Sequence, residues 1–131
     1  MEQLSTDLPG LGLLSVTSPD LLHRGWSTAQ AARWSEARSH AGGMVSTGAD
    51  RQPSHAETLL ARLRPGAGLV TLCDAAPASL SWLGGVIGQR VAPLGIDRFG
   101  QTGTLADLYA AYRLDGAALT EAIAELLLTA S

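Results

Sequence analysis

The stretch GLVTLCDAAPASLSWLGGVIGQRVAPLG, from Gly68 to Gly95, decides the fold class of this 131-residue chain. It begins with a continuous apolar run over residues 68–74 and ends with a second apolar run that stops at Gly95. Between the two runs, a segment that starts near Pro77 has the composition of a short helix. Because strands connected through a helix usually pair in parallel, this order predicts an α/β fold with a mostly parallel sheet and helices on both faces.

The segment nearest the amino terminus predicts another strand followed by a helix. LGLLSVT, residues Leu11–Thr17, is an apolar run expected to form a buried strand. The next residues favour a helix start, with Ser18 as the cap, Pro19 in the first turn and Asp20 near the positive end of the helix. The sequence therefore predicts a strand-to-helix step over residues 11–20.

The middle of the chain is expected to be helical up to an exposed loop. Residues 21–40 have a helical composition, and Gly25 is expected to divide this helix into two pieces. Residues 39–55 lack periodicity and are rich in Gly and Ser, so they are predicted to form an exposed loop. A short helix over residues 56–64 is expected to follow it.

Two helices are predicted at the carboxyl end of the chain. Thr104–Asp107 has the form of a capping box, and Asp115 is expected to cap the last helix, with Leu114 and Leu119 as a hydrophobic staple. The apolar residues at helical spacing are Leu105, Leu108, Tyr109 and Tyr112 in the first helix and Leu119, Ile123, Leu126 and Leu127 on the predicted buried face of the second.

The composition predicts one soluble globular domain over residues 1–131. Hydrophobic residues make up 46% and charged residues 16% of the chain, and a net charge of −3 gives no electrostatic reason to expect nucleic acid as a partner. No apolar stretch is long enough to predict a membrane span. The single cysteine, Cys73, excludes an internal disulfide and suits the reducing cytoplasm, which is the expected location.

A loop after the second apolar run of Gly68–Gly95 is the main candidate for a functional contact. GIDRFGQTGT, residues 95–104, leaves the carboxyl end of a predicted strand, where open α/β sheets carry ligands and contacts. Gly95, Gly100 and Gly103 are expected to give the backbone freedom, and Phe99 is expected to anchor the loop in the core. Asp97 and Arg98 are expected to pair with each other or to bond to the backbone, and a ligand contact is the alternative to this structural role.

The loop and its surroundings resemble a known enzyme family. GIDRFGQTGTLADLYAAYRLDGAALTEAI, residues 95–123, resembles the end of the C-terminal domain of transketolase-like thiamine diphosphate enzymes, whose pattern is Gly-x-Asp-x-Phe-Gly-x-Ser followed by two helices. Thr102 stands where that family usually has serine. SVTSPDLLHRGW (residues 15–26) and GLVTLCDAAPASLSWL (residues 68–83) resemble most closely the homodimeric pyruvate dehydrogenase decarboxylase component.

The resemblance implies a three-layer α/β domain of the transketolase C-terminal type. It also implies that the family's first strand and helix are lacking, because Met1–Asp7 resembles only the tail of that helix. A sheet without its first strand would leave an edge open to another chain. The residues that the resemblance assigns to a structural or interface loop are Asp97, Arg98, Phe99, Gly100 and Thr102.

Members of this family bind thiamine diphosphate and magnesium through a Gly-Asp-Gly…Asn motif in one domain and activate the cofactor with a glutamate in another. This chain contains no Gly-Asp-Gly. The resemblance therefore implies no catalytic, cofactor-binding or metal-binding residue in this chain and no activity for the chain alone.

The function implied by the resemblance is that of a non-catalytic C-terminal domain or small subunit. Such a domain supports assembly and the active-site entrance of a pyruvate dehydrogenase or transketolase-type enzyme. Its expected partner is a second copy of the chain or a separate chain that carries the cofactor domains. The alternative is a stand-alone interaction or regulatory module that kept the fold without the enzyme.

Other reactive residues predict no site of their own. His23, His40 and His55 are 17 and 15 residues apart, a spacing that does not indicate a metal site. Cys73 is expected to be an inert thiol in a strand, and Asp74 a capping group. A small free-standing hydrolase is a third hypothesis, and the chain has no Gly-x-Ser-x-Gly elbow to support it.

Overall fold

The computed structural model describes residues 8, 10–39, 52–98, 100 and 102–129. These residues form a mixed α/β structure with six helices and two strands. In chain order the elements are α1 (Pro19–Ser39), α2 (His55–Leu60), β1 (Leu69–Leu72), α3 (Ala78–Ser81), α4 (Gly84–Ile87), β2 (Val91–Leu94), α5 (Leu105–Ala111) and α6 (Gly116–Leu128).

The two strands pair in parallel, as the sequence predicts. Their register places Leu69 opposite Val91 and Leu72 opposite Leu94. The connection between them contains two short helices, α3 and α4, instead of the single predicted helix. The second of these two helices, α4, starts at the adjacent glycines Gly84 and Gly85. Glycine is a poor helix former because it loses more backbone entropy on folding than other residues do. The wider three-layer sheet stays a prediction, because the sheet of the described residues has two strands.

The core lies between α2, the α3–α4 connection and one side of the sheet. Its buried residues are Ala56, Leu60, Leu83 and Val86. Partly buried hydrophobic side chains pack around them, namely Leu22, Trp26, Leu63, Leu69, Leu80 and Trp82. Trp26 of α1 stacks on Trp82, with ring centroids 5.3 Å apart, so the long helix is attached to the core through an aromatic contact.

A charged contact also joins α1 to α2. The guanidinium of Arg33 donates two hydrogen bonds to the Glu57 carboxylate, at 2.5 and 2.7 Å. Glu57 is the third residue of α2 and closes a capping box with Ser54: its carboxylate accepts from the Ser54 backbone N–H, and its own N–H donates to the Ser54 hydroxyl. One carboxylate therefore caps α2 and holds α1 against it.

The caps predicted for the last two helices are confirmed. Thr104 and Asp107 form the capping box of α5, and the Asp115 carboxylate accepts from the Ala118 N–H at the start of α6. The predicted buried face of α6 is only partly correct. Ile123 is buried, whereas Leu127 is exposed, and the small residues Ala118 and Ala122 are buried instead.

Several predicted boundaries are wrong. Residues 11–17 do not form a strand: the side chains of Leu11, Leu13 and Leu14 are exposed, and no described strand lies beside them to accept their backbone hydrogen bonds. Gly25 does not divide α1, which is one continuous helix. A tertiary contact through Trp26, the next residue, outweighs the weak propensity of a single glycine.

The helix predicted for residues 56–64 is also shorter than expected. It begins one residue earlier, at His55, and ends at Leu60, after which the chain turns toward β1. Met1–Asp7 and most of the predicted 39–55 loop lie outside the described residues. The first part of that range, Ser39, is the last residue of α1.

Candidate functional site: an open sheet edge and the cleft beside β2

The outer edge of β1 carries backbone groups that β2 does not use. The Leu69 N–H donates to the Arg90 carbonyl, and the Cys73 N–H donates to the Leu94 carbonyl. In a parallel strand, alternate residues direct their N–H and C=O groups to the same side. The N–H and C=O groups of Val70 and Leu72 therefore point away from β2, to an edge that no other described strand occupies.

The outer edge of β2 has a different character because it contains a proline. The Arg90 and Leu94 carbonyls point toward β1, so the backbone groups of Val91 and Pro93 point outward. Pro93 has no N–H, which removes one donor from this edge. Proline is typical of sheet edges that do not accept a further strand. Of the two edges, the one on β1 is the one suited to strand addition.

A cleft of about 420 Å³ lies beside β2. Its walls are β2 itself, the loop that follows it, the end of α5 and the last two turns of α6. Apolar side chains such as Leu94, Ala122 and Leu126 line its floor. The cleft therefore lies where the sheet passes into the predicted functional loop.

Charged groups of both signs surround this apolar floor. Asp97 and Arg98 lie on the loop side, and Arg113 and Glu125 lie on the helix side. Arg113, which has a left-handed backbone conformation with φ of 55°, donates to the Glu121 carboxylate on the surface of α6. An apolar floor with a rim of mixed charge is typical of a protein–protein contact surface.

The structure brings together only some of the loop residues predicted from sequence. The Arg98 Nε donates to Asp97 Oδ1 at 3.2 Å, and both side chains are largely exposed at the cleft. Gly100 has a φ of 104°, which confirms that this position uses the conformational freedom of glycine. Thr102 is exposed and does not line the cleft, and Phe99 lies outside the described residues, so its anchoring role stays a prediction.

The contribution of the last two helices to the cleft is not predicted from the sequence. Tyr112, Arg113 and Glu125 line it, although they are separated in sequence from the loop at residues 95–98. The short link between α5 and α6 places Arg113 there. The sequence does show that Arg113 is a charged residue between two capped helices. Its position near β2, however, depends on how α6 packs on the sheet.

The start of the loop is held by a close backbone approach at Gly95. A Cβ atom at this position would lie 2.4 Å from the Ala75 carbonyl oxygen and 2.8 Å from the Pro77 nitrogen. Only glycine fits this crossing without a backbone shift. The ends of β1 and β2 are thereby fixed relative to each other, and with them the wall of the cleft.

The end of the loop is held by the α5 cap. Both the Thr104 hydroxyl and the Thr104 backbone N–H donate to the Asp107 carboxylate. These hydrogen bonds, mainly the one from the hydroxyl, hold the pKa of Asp107 below its ordinary value. The carboxylate thus stays ionised at neutral pH and is committed to the cap.

The cysteine and the two histidines that the structure describes do not line the cleft. The Cys73 thiol lies 3.6 Å from the carbonyl oxygens of Ala75 and Ala76 at the end of β1. His23 contacts the Trp82 ring edge-on, with centroids 4.8 Å apart, and His55 is the first residue of α2, whereas His40 lies outside the described residues. Among the described residues, no three His, Cys, Asp or Glu side chains form a group that could hold a metal ion.

Comparisons with known proteins give no relative. No family model matches the chain, and neither a curated protein nor a solved structure matches it. In the part of the chain that the structure describes, no helix is both long and apolar enough to cross a membrane.

Proposed function

We propose that this chain is a non-catalytic assembly domain of a thiamine diphosphate-dependent enzyme of the pyruvate dehydrogenase or transketolase type. In this role it would support subunit association and the active-site entrance, while thiamine diphosphate and magnesium are bound by other domains. The observation that carries the assembly role is that the described residues form a parallel sheet of two strands, with no described strand on the outer edge of β1. Parallel strands are normally buried inside larger sheets, so two alone favour completion by another chain.

Exposed apolar side chains support the same role. Large hydrophobic residues are exposed on α1, β1, α5, α6 and the 11–14 segment; examples are Trp34 on α1 and Leu105 on α5. The described residues include seven buried hydrophobic residues, four in the core defined above and three on α6, which is a small number for a folded chain. Apolar surface of this extent is typical of proteins that bury it against a partner.

The sequence resemblance supports the enzyme family of the partner. The Gly-x-Asp-x-Phe-Gly pattern of residues 95–100 follows β2 and leads to the cleft, at the carboxyl end of a parallel strand. Contacts between domains and with ligands concentrate at this end of α/β sheets. The mixed charges of Arg98 and Glu125 at the rim of the cleft suit contact with another folded domain.

The test is reconstitution from purified chains. This chain would be mixed with a purified chain, encoded beside it, that carries thiamine diphosphate-binding domains, and both association and cofactor-dependent decarboxylation of a 2-oxo acid would be measured. We expect a complex in sedimentation and activity that is higher in the mixture than in either chain alone. Association without any gain in activity would favour a stand-alone interaction module, and no association would contradict the proposal.

An arginine variant at the cleft sharpens this test. Arg98→Ala removes an exposed charge whose partner is the neighbouring Asp97, so the fold is expected to be kept. If the cleft contacts the cofactor-domain chain, the variant binds more weakly than the wild type. Arg62→Ala, an exposed arginine after α2 that does not line the cleft, is the matched control and should leave binding unchanged.

A further inference from the structure

The outer edge of β1 and the apolar segment of residues 11–16 are complementary, and neither pairs with a strand in the part of the chain that the structure describes. We propose that the chain forms a two-fold homodimer in which residues 11–16 of each copy add as a strand to the β1 edge of the other. This proposal rests on the assembly role proposed above and names a second copy of the chain as the partner that completes the sheet.

The β1 edge has the properties of a strand acceptor. Val70 and Leu72 direct their N–H and C=O groups outward, and the strand LVTL contains neither a charge nor a proline. Leu72 is 48% exposed. Natural sheet edges that must stay unpaired are usually protected by a proline or a charged side chain, and here only the β2 edge, with Pro93, is protected in this way.

Residues 11–16 have the properties of a strand donor. Within the described residues, no backbone hydrogen bond involves residues 12–17. Leu13 is 76% exposed, and Leu11 and Leu14 are exposed as well. The segment has the apolar composition of a strand, yet none of the described strands pairs with it. Six residues in extended form reach about 20 Å, enough to cover all of β1.

A second copy is favoured because the chain's own segment lies elsewhere. Residues 17 and 18 alone separate the segment from α1, and α1 is fixed to the core by Leu22, Trp26 and the Arg33–Glu57 pair. In that position the segment is largely exposed, and no described strand pairs with it or with the β1 edge of the same chain. A two-fold exchange satisfies both features in both copies, since each chain donates one strand and accepts one.

The experiment is sedimentation velocity of the full chain over a wide concentration range, with Leu13→Asp as the test variant. We expect the wild type to reach the mass of a dimer. We expect Leu13→Asp to weaken dimerisation by about tenfold or more, because a carboxylate would be placed against the apolar edge. Leu128→Asp is the matched control: Leu128 is 79% exposed on α6, so this variant should dimerise like the wild type.

Amide hydrogen exchange distinguishes the strand exchange from other dimers. The amide protons of Val70 and Leu72 point away from β2, so they should exchange quickly in the monomer and slowly in the dimer. Those of Leu69 and Cys73, which donate to β2 or its flanks, should be protected in both states. Protection of Val70 and Leu72 at monomer mass would show pairing within one chain and would overturn the proposal, as would a dimer in which they stay unprotected.

The two proposals can fail separately. A chain that stays monomeric but binds and activates the cofactor-domain chain would overturn the strand exchange and leave the proposed function standing. A dimer with protected Val70 and Leu72 amides that neither binds that chain nor raises its activity would support the exchange and contradict the assignment to a thiamine diphosphate enzyme.

Discussion

The Glu57 carboxylate gives the sharpest prediction about stability, because it connects two helices and caps one of them. Its hydrogen bonds to the Arg33 guanidinium, together with the Ser54 hydrogen bonds, lower its pKa from 4.5 to about 2, against the opposing effect of burial. The folded state therefore favours the ionised form. The stabilisation is complete above about pH 4.5 and is lost as the pH falls from 4.5 toward about 2.

The magnitude follows from this change in pKa. One pKa unit corresponds to about 1.4 kcal/mol, so a fall from 4.5 to about 2 sets an upper limit of about 3 kcal/mol. The Glu57 side chain is 15% exposed, and residual contact with water and salt reduces the effect. We expect Glu57→Gln to lower the free energy of unfolding by about 2 kcal/mol at pH 7, since glutamine keeps an acceptor for the Ser54 N–H but not the charge.

The assay is urea unfolding at a fixed protein concentration, followed by tryptophan fluorescence at pH 7 and again near pH 3. Trp26 and Trp82 stack at the core and should report the loss of packing. The difference between wild type and Glu57→Gln should shrink at the lower pH, because only the wild type loses an ionised Glu57. Glu121→Gln is the control at an exposed ion pair with Arg113 and should cost less than about 0.5 kcal/mol. A difference independent of pH, or a cost no larger than that of the control, would refute this reasoning.

Four further variants test the packing, the backbone of two glycine positions and a helix cap. Leu60→Ala should lower the free energy of unfolding by about 2–5 kcal/mol in urea titrations, because Leu60 is buried in the core cluster; an effect below about 1 kcal/mol would contradict that burial. Gly95→Ala should lower the melting temperature, since the new Cβ would collide with the Ala75 carbonyl. Gly25→Ala lies within α1 with no atom near the new Cβ, so it should stabilise the chain by about 1 kcal/mol and raise the melting temperature. Thermal melts of both variants measure the two opposite changes. Thr104→Ala should loosen the amino-terminal turn of α5, and carbon chemical shifts in NMR that stay helical there would contradict the capping role.

The strand–helix–strand unit was predictable because its signals are local. An apolar run, a proline-started helix and a second apolar run determine β1, β2 and their parallel direction, since a helical connection brings the second strand back in the same direction. The caps at Thr104 and Asp115 were predictable for the same reason: each depends on residues three positions apart.

The 11–17 segment shows where local pattern is insufficient. Its composition is that of a strand, but a strand exists only when another strand supplies hydrogen bonds, and in the described residues none is placed beside it. The continuity of α1 through Gly25 is the opposite case, in which contacts of neighbouring side chains outweigh a local preference.

The sequence by itself determined the parallel strand pair, the helix caps and the position of the loop at residues 95–98, because short-range sterics and hydrogen bonds set these features. The tertiary structure alone decided that Arg113 and Glu125 face this loop across a cleft and that Glu57 binds Arg33. These relations join residues far apart in sequence. They depend on how helices and strands pack, and packing is a property of the whole chain that no local pattern contains.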